Sequence, residues 1–143
     1  MPKKKKVLFI CTGNACRSQI AHGLLNDISS KTFEVFSAGS QPSQVHAISI
    51  AVMEEIGIDI SKHTSDHIDD YLDKNIDIVI TVCDNAKDAC PTFSENVNQI
   101  HWKINDPFKN YNFDLNQLSN FRQTREEIKS KLLKFIQEYK IGK

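Results

Sequence analysis

Residues 7–18, Val-Leu-Phe-Ile-Cys-Thr-Gly-Asn-Ala-Cys-Arg-Ser, connect a short apolar run to the beginning of a helical pattern. The run Val7–Cys11 is typical of a strand that is buried on both faces of a sheet. Thr12-Gly13-Asn14 has the composition of a turn. From Arg17 onward, apolar side chains recur at helical spacing, at Ile20, Leu24, Leu25 and Ile28. We therefore predict a strand, a tight loop and an amphipathic helix in direct succession.

Strands and helices continue to alternate along the rest of the chain. The further predicted strands are Phe33–Phe36, Ile76–Cys83 and Gln99–Trp102. The further predicted helices are one that contains Val45, Ile48, Val52 and Ile56 and ends at Gly57, a short one capped by Ser65 or Asp66, and a long one from Asp114 to Tyr139. This alternation predicts an α/β fold, with a parallel sheet and helices on both faces. Ligands of such folds bind beyond the carboxyl ends of the strands.

The size and charge of the chain exclude several classes of protein. Its 143 residues predict a single domain, residues 1–143. Lys+Arg and Asp+Glu number 18 each, so there is no overall attraction to nucleic acid or to an anionic membrane. The apolar run Val7–Ile10 is too short for a signal peptide, and we interpret the basic residues 3–6 before it as a solvated flank rather than a nuclear address. We expect a cytoplasmic monomer with neither nucleic-acid nor membrane partners.

The four cysteines are the residues most informative about function: Cys11, Cys16, Cys83 and Cys90. Without an export signal they are expected to be thiols, and cysteines in such a setting are typically catalytic, redox-active or metal-binding. Cys11 and Cys83 each end a predicted strand. Because the carboxyl ends of parallel strands share one edge of the sheet, we expect these two cysteines to face the same ligand site.

The loop after the first predicted strand has the features of an oxyanion-binding site. A loop that leads into a helix N-terminus aims backbone N–H groups at one point, and the helix dipole adds positive charge. Arg17 adds a planar donor for two oxygens, and Gly13 and Asn14 tolerate the tight curl. These surroundings also favour a reactive thiolate at Cys11, which Ser18 can steady. The predicted oxyanion-binding residues are Thr12, Gly13, Asn14, Ala15, Cys16, Arg17 and Ser18. The alternative is a buried structural cysteine followed by a surface arginine.

Residues 11–18 resemble the active-site loop of the low-molecular-weight protein tyrosine phosphatases and of the arsenate reductases that share their fold. The resemblance continues through Ser37-Ala38-Gly39, Gly57–Ser61, His63-Thr64-Ser65 and Asp106-Pro107. It implies a single domain with a four-stranded parallel sheet and helices on both faces. It also implies that Asp106 is the general acid, although an Asp-Pro pair by itself is typical of a simple turn.

Cys83 and Cys90 are seven positions apart. In a rigid helix their side chains would be roughly 10 Å apart, so a disulfide requires the polar segment between them to bend or unwind. The pattern alone leaves three interpretations: a redox pair, two inert cysteines, or zinc ligands, for which this spacing is a poor match. The thioredoxin-coupled arsenate reductases carry two cysteines at this spacing. That resemblance implies a relay in which Cys83 attacks a Cys11–arsenic adduct and Cys90 then attacks Cys83.

The favoured hypothesis is reduction of arsenate to arsenite, with phosphate or sulfate as analogues of the substrate and thioredoxin as the reductant. The catalytic residues are then Cys11, Cys83, Cys90, Arg17 and Asp106. One alternative is a phosphotyrosine phosphatase in which Cys83 and Cys90 protect Cys11 by reversible oxidation. A second is a protein that binds oxyanions without turnover. Phe108, at a position where these phosphatases usually present tyrosine, favours a small inorganic substrate.

No cofactor or metal site is expected beyond the redox-active disulfide. Some members of the family bind potassium near the loop with Asn, Glu, Thr or Ser, and Asp. Asn14, Ser65 and Asp66 are available for such a site, but the acidic position on the first helix is His22. Because potassium prefers carboxylate or carbonyl oxygen, we do not predict that it binds here.

Overall fold

The structure, a computed structural model, describes residues 4–82, 97–109 and 115–141. Its strands are β1 (Lys5–Cys11), β2 (Phe33–Gly39), β3 (Ile78–Thr81) and β4 (Asn98–His101). Its helices are α1 (Arg17–Ser29), α2 (Ala47–Glu54) and α3 (Leu115–Ile141), with a short 3-10 helix at Ile68–Tyr71. The elements from β1 to β3 follow the predicted alternation of strands and helices, and residues 83–96, between β3 and β4, lie outside the described residues.

Within the described residues the strands form one sheet in the order β2-β1-β3-β4, and every neighbouring pair is parallel. In the centre of the sheet Phe9 lies opposite Ser37 on one side and Ile80 on the other. The predicted four-stranded parallel sheet is therefore confirmed. Because β1 is flanked by both β2 and β3, its carboxyl end at Cys11 lies in the middle of the sheet edge.

The two faces of β1 explain why its sequence is continuously apolar. Val7 and Phe9 belong to the larger core, which the helices α1, α2 and α3 cover. Leu8 and Ile10 point to the opposite face and pack with Ile68 of the 3-10 helix. All four of these β1 side chains are fully buried. A strand with both faces covered needs apolar residues at every position, which is the pattern of Val7–Cys11.

The second helix is held at both ends by local and long-range bonds. It begins at Ala47, later than the predicted pattern from Val45, because the His46 imidazole accepts a hydrogen bond from the Ile48 N–H. It ends as predicted before Gly57, which has a φ of 81°. Arg125 of α3 donates to the Val52 carbonyl oxygen at 2.7 Å, so α3 is tied to the last turn of α2.

Other predicted boundaries are wrong or lie outside the described residues. The 3-10 helix is capped by His67, whose imidazole accepts from the Asp69 N–H, and not by Ser65 or Asp66. Ser65 and Asp66 instead bind the loop after β1, and this long-range partner replaces the predicted local cap. The strand β4 begins and ends one residue before the predicted Gln99–Trp102. Cys83 and Cys90 lie outside the described residues. No helix in the described ranges is long and apolar enough to cross a membrane.

Candidate active site

A cavity of about 230 Å³ lies at the carboxyl end of β1, where the chain turns into α1. Its base is Cys11, its wall is the backbone of the loop, and Arg17 lines it from the first turn of α1. Gln41, Ser43, Asp106 and Phe108 line it from other segments. The structure thus brings Asp106 to the predicted oxyanion loop, although the two are distant in sequence.

The carbonyl oxygens of the loop accept hydrogen bonds from donors around its outside. Besides Gln19 Nε2 of α1, which donates to Asn14 O at 3.1 Å, donors come from three parts of the chain: the segment after β2, α2, and the segment before the 3-10 helix. The bonds are Gln41 N to Thr12 O at 2.8 Å, Ser43 N to Gly13 O at 3.0 Å, Ser65 Oγ to Asn14 O at 2.8 Å, and His46 N and Ser49 Oγ to Ala15 O at 3.1 and 3.0 Å. Cys16 O accepts from Ile20 N inside α1 at 2.9 Å.

These bonds determine where the loop N–H groups point. In a planar trans peptide the N–H is directed opposite to the C=O. Because the carbonyls of Thr12, Asn14 and Ala15 are bonded from outside the loop, and that of Cys16 is bonded along α1, the N–H groups that follow them are directed toward the cavity. Those N–H groups belong to residues that line the cavity: Gly13, Ala15, Cys16 and Arg17.

The first turn of α1 lies at the cavity, with Arg17 and the N-cap residue Cys16 among the lining residues. Cys16 is the N-cap residue, and its side chain makes no capping hydrogen bond. The first turn also contains no acidic residue. The N–H groups at the start of a helix and the positive end of the helix dipole together favour a bound anion. The cavity is therefore suited to a tetrahedral oxyanion placed against Cys11.

A chain of side chains leads from the loop to the Cys11 sulfur. The Asn14 Oδ1 accepts from the Asp66 N–H at 2.9 Å, and this bond fixes the orientation of the Asn14 amide. The Asn14 Nδ2 then donates to Ser18 Oγ at 2.7 Å. Ser18 Oγ, which accepts this bond, lies 2.9 Å from Cys11 Sγ and can donate its own hydrogen to a thiolate there. The arrangement gives Cys11 a hydroxyl donor directed at its sulfur, as a thiolate nucleophile requires.

Asn14 has a backbone conformation that few residues adopt. Its φ is 49°, in the left-handed region, where asparagine is tolerated better than most residues. The predicted role of Asn14 as the residue that ties the loop together agrees with this conformation and with the bonds of its side chain.

Arg17 is held at the cavity by two groups of the segment after β4. Its Nη1 donates to the Ile104 carbonyl oxygen at 2.9 Å, and its Nη2 lies 3.4 Å from Asp106 Oδ2. The Arg17 side chain is 6% exposed and that of Asp106 is 40% exposed. A guanidinium that is already fixed in place binds an anion at a smaller cost in side-chain entropy than a free one.

Asp106 is presented rigidly to the cavity. Its Oδ1 accepts from the Phe108 N–H at 3.0 Å, which closes a local turn around the buried Pro107. Its Oδ2 faces Arg17. A carboxyl group in this position can deliver a proton to an oxygen that leaves a ligand bound on the loop. This geometry is what the predicted general acid needs.

Cys16 lies in the loop but is not a second nucleophile. The side chain is buried, and burial raises the pKa of the Cys16 thiol far above its usual range, with smaller contributions from the charges of Asp106 and Cys11. A thiol in this state stays protonated at neutral pH. Of the two loop cysteines, Cys11 is therefore the candidate nucleophile, and Cys16 lines the cavity.

The residues available for a potassium ion take part in hydrogen bonds with one another and with their neighbours. The Asn14 Oδ1 is already bonded to the Asp66 N–H, and the Asp66 carboxylate accepts from Thr64 Oγ1 at 2.9 Å and Tyr71 OH at 3.0 Å. At the acidic position of the family lies the imidazole of His22. Burial, together with the nearby His63, lowers the pKa of His22 to about 4. In the described ranges no group of three or more His, Cys, Asp or Glu residues is placed to hold a metal ion.

Several residues that build the site were missed by the sequence reasoning. They are Gln19, Gln41, Ser43, His46 and Ser49, all of which contact the loop or line the cavity. No local pattern in the sequence marks these roles, because the fold brings the side chains to the loop. The predicted relay residues Cys83 and Cys90 lie outside the described residues, and their roles stay predictions.

Comparisons with known proteins identify the family of the chain. Residues 6–142 match the family described as low molecular weight phosphotyrosine protein phosphatase. Arsenate reductase 1 of Staphylococcus saprophyticus is 42% identical over 132 residues, which are 92% of this chain and 96% of that protein.

Solved structures of similar proteins include arsenate reductases. One, described as an arsenate reductase in the phosphate binding state, has a TM-score of 0.77 at 34% identity, covering 94% of this chain and 98% of that one. The thioredoxin-dependent arsenate reductase of Corynebacterium glutamicum has a TM-score of 0.77 at 28% identity, covering 98% of this chain and 64% of that one. The chain belongs to the low molecular weight phosphotyrosine protein phosphatase family, in the branch that contains the arsenate reductases.

Proposed function

We propose that this protein reduces arsenate to arsenite, with Cys11 as the nucleophile and thiols as the source of electrons. The observation that carries the proposal is the ring of loop carbonyls bonded from outside, which directs the N–H groups of residues 13–17 that line the cavity toward one point beside Cys11. A tetrahedral oxyanion matches that arrangement. Relatives of similar length and 42% identity are arsenate reductases, which supports arsenate as the oxyanion.

The first step follows from the positions of the side chains around the cavity. Arsenate binds to the loop N–H groups and to Arg17. The Cys11 thiolate attacks arsenic, an As–O bond breaks, and the oxygen leaves as water after Asp106 supplies a proton. Arg17 and the helix N-terminus balance the negative charge during this exchange. The product is an adduct in which arsenic, still pentavalent, is joined to the Cys11 sulfur.

The electrons for reduction come from a second thiol. Cys83, as a thiolate, attacks the Cys11 sulfur, and a Cys11–Cys83 disulfide forms. The electron pair of the broken sulfur–arsenic bond stays on arsenic, which leaves as trivalent arsenite. Cys90 then attacks Cys83, so that Cys11 is released as a thiolate and a Cys83–Cys90 disulfide remains. The spacing of these two cysteines supports this order of events.

A dithiol protein is the reductant that resets the enzyme. The Corynebacterium glutamicum relative is described as thioredoxin-dependent, and this supports thioredoxin as the partner that reduces the Cys83–Cys90 disulfide. Phosphate and sulfate are expected to compete with arsenate, since they share its tetrahedral shape and charge. A relay that begins and ends with free thiols needs a reducing compartment, so we place the protein in the cytoplasm. We also propose that it acts as a monomer.

The experiment is arsenate-dependent oxidation of NADPH with thioredoxin and thioredoxin reductase. We expect sustained turnover by the wild type. Cys90→Ser should stop after about one turnover, because the Cys11–Cys83 disulfide then has no internal thiol to resolve it. Cys16→Ser is the matched cysteine substitution, and it should continue beyond the first turnover because it leaves the three relay thiols in place.

The second candidate function is hydrolysis of phosphate monoesters, which the family and the Cys11, Arg17 and Asp106 arrangement favour. Hydrolysis needs neither Cys83 nor Cys90. Cys83→Ser should therefore keep any activity on aryl phosphates but lose catalytic arsenate reduction. Hydrolysis of aryl phosphates by the wild type without arsenate-dependent NADPH oxidation would replace the proposal with the phosphatase. Binding of phosphate without either reaction would identify a binding protein.

A further inference from the structure

Gln19 is a fully buried polar side chain in the first turn of α1, two residues after Arg17. It makes three hydrogen bonds. The Nε2 donates to Asn14 O at 3.1 Å and to Thr64 O at 2.9 Å, and the Oε1 lies 2.9 Å from His63 Nδ1. None of these contacts reaches the cavity, so Gln19 does not touch a bound oxyanion.

The three bonds allow one orientation of the Gln19 amide. Its Nε2 carries two hydrogens, and each faces a carbonyl oxygen. If the amide were flipped, Oε1 would face two carbonyl oxygens and no donor. In the observed orientation Oε1 is an acceptor, so His63 donates from Nδ1. His63 in turn stacks on His22, with ring centroids 4.3 Å apart.

We propose that Gln19 is a positioning residue for the oxyanion, and that His63 holds Gln19 in its working orientation. Gln19 keeps the Asn14 carbonyl turned away from the cavity, and the planar peptide then directs the Ala15 N–H toward the oxyanion. The inference rests on the proposed function only in that the cavity binds a tetrahedral oxyanion.

The position of this peptide needs an external constraint. Asn14 has a φ of 49°, a conformation that costs energy for any residue with a side chain. Two donors hold its carbonyl oxygen, Gln19 Nε2 and Ser65 Oγ. Ser65 comes from a segment far along the chain, whereas Gln19 is fixed on the same helix whose N-terminus binds the anion. Loss of Gln19 leaves the peptide with one donor, and it can rotate its N–H out of the cavity.

The test compares Gln19→Met with the wild type, because methionine has the length of glutamine but neither donates nor accepts strongly. We expect the Kd for inorganic phosphate, measured by calorimetry, to rise about tenfold or more, as for loss of one bond to a charged group. In amide NMR spectra, phosphate should shift the Ala15 resonance of the wild type. That shift should be lost in Gln19→Met while the Gly13 shift remains.

Arg125→Met is the matched control. Arg125 is also a buried side chain that donates to a backbone carbonyl, Val52 O, but it lies on α3 and does not line the cavity. We expect Arg125→Met to lower the Tm and to leave the phosphate Kd of the folded protein within about twofold. If Gln19→Met behaves in the same way, Gln19 is merely structural and the inference is wrong.

His63→Phe keeps a ring stacked on His22 but removes the donor to Gln19. We expect a smaller rise in the phosphate Kd, and no additional rise when it is combined with Gln19→Met, because both act on one contact. If the two substitutions raise the phosphate Kd additively, His63 does not act through Gln19 and its proposed role is wrong. If Gln19→Met does not fold, the phosphate Kd of His63→Phe alone tests the proposal. A wild type that fails to bind phosphate contradicts the proposed function itself, whereas an unaffected Gln19→Met contradicts only the positioning role.

Discussion

Gly39, the last residue of β2, lies directly against Thr12: a Cβ atom added to Gly39 would be 2.4 Å from the Thr12 carbonyl oxygen. It would also be 2.9 Å from the Asn14 nitrogen. Both neighbours are backbone atoms, which cannot move away as the end of a flexible side chain can. The oxyanion loop therefore packs on β2 at a distance that only glycine allows.

Substitution of Gly39 by alanine is expected to displace the loop. We predict that Gly39→Ala raises the Kd for phosphate at least tenfold and lowers the free energy of unfolding by about 1–3 kcal/mol, as overpacking does. Gly57→Ala is the control: Gly57 has a φ of 81° and no atom within 4 Å of an added Cβ. Gly57→Ala should lower the free energy of unfolding by about 1–2 kcal/mol because of backbone strain, and it should leave the Kd for phosphate unchanged. Calorimetry and urea unfolding measure the two effects, and equal affinities in both variants would contradict the prediction.

The hydroxyl of Ser18 is expected to contribute to the reactivity of Cys11. Ser18→Ala removes the donor 2.9 Å from Cys11 Sγ and also leaves Asn14 Nδ2 without its acceptor. A hydrogen bond to a charged group contributes about 1.5–3 kcal/mol, so the rate of Cys11 alkylation by iodoacetamide at neutral pH should fall about ten- to hundredfold. Peptide mass spectrometry identifies the modified cysteine. Cys16 should stay unmodified in both proteins because burial raises the pKa of its thiol. An unchanged rate at Cys11 would show that Ser18 has no such role.

The sequence could predict the parts of this protein that depend on local patterns. Val7–Cys11 is apolar at every position because both faces of β1 are covered, and that pattern is visible without the structure. The oxyanion loop could be predicted for a similar reason: its chemistry comes from adjacent residues, from Cys11 to Ser18.

The parts that could not be predicted depend on contacts between distant segments. Serine is a preferred residue type at helix N-termini, yet Ser65 donates to Asn14 O, 51 positions earlier in the chain. Ser49 reaches Ala15 O across 34 positions. Such partners compete with local capping, and the burial of the loop decides the outcome. Gln19 gives no signal of its role because its partner His63 is brought to it only by the fold.

Acid should destabilise the protein through His22. Burial and the nearby His63 lower the pKa of His22 from 6.5 to about 4 in the folded state, against a smaller opposing effect of Asp66. As pH falls from 6.5 to 4, the unfolded chain binds this proton before the folded one. The free energy of unfolding therefore decreases in that window, by at most about 1.4 kcal/mol per pH unit.

The measurement is urea unfolding between pH 4.5 and 7.5, comparing the wild type with His22→Phe, which retains a ring to stack on His63. We expect a flatter pH dependence in the variant. Glu55 does not contribute to the pH dependence in this range. Arg122 and Arg125 lower its pKa to about 2, so its contribution to the stability of the folded protein is lost only below about pH 4.5. If the free energy of unfolding depends on pH in the same way in both proteins, His22 is not the origin of the acid destabilisation.

Potassium should have no specific effect on this protein. His22 is a neutral imidazole at pH 7, and the Asp66 carboxylate is bonded to Thr64 and Tyr71. We predict equal Tm and equal arsenate turnover in potassium chloride and in choline chloride at the same ionic strength. His22→Glu restores a carboxylate at the position where some members of the family have one, and it is the variant in which potassium should raise the Tm. A potassium-dependent Tm in the wild type would show that the oxygens around Asn14 hold the ion without that carboxylate.

Asp106 should affect the chemical step much more than binding. Asp106→Asn keeps an oxygen that can accept from the Phe108 N–H, but it cannot deliver a proton, and it removes the negative charge 3.4 Å from Arg17. General acid catalysis contributes about 10²–10⁴-fold, so kcat for arsenate reduction should fall by that order. The Kd for phosphate should stay the same or decrease, since Arg17 no longer shares its charge with a carboxylate. A rise in Kd without a fall in kcat would assign Asp106 to binding, and no change in either would leave the proton to be supplied by water.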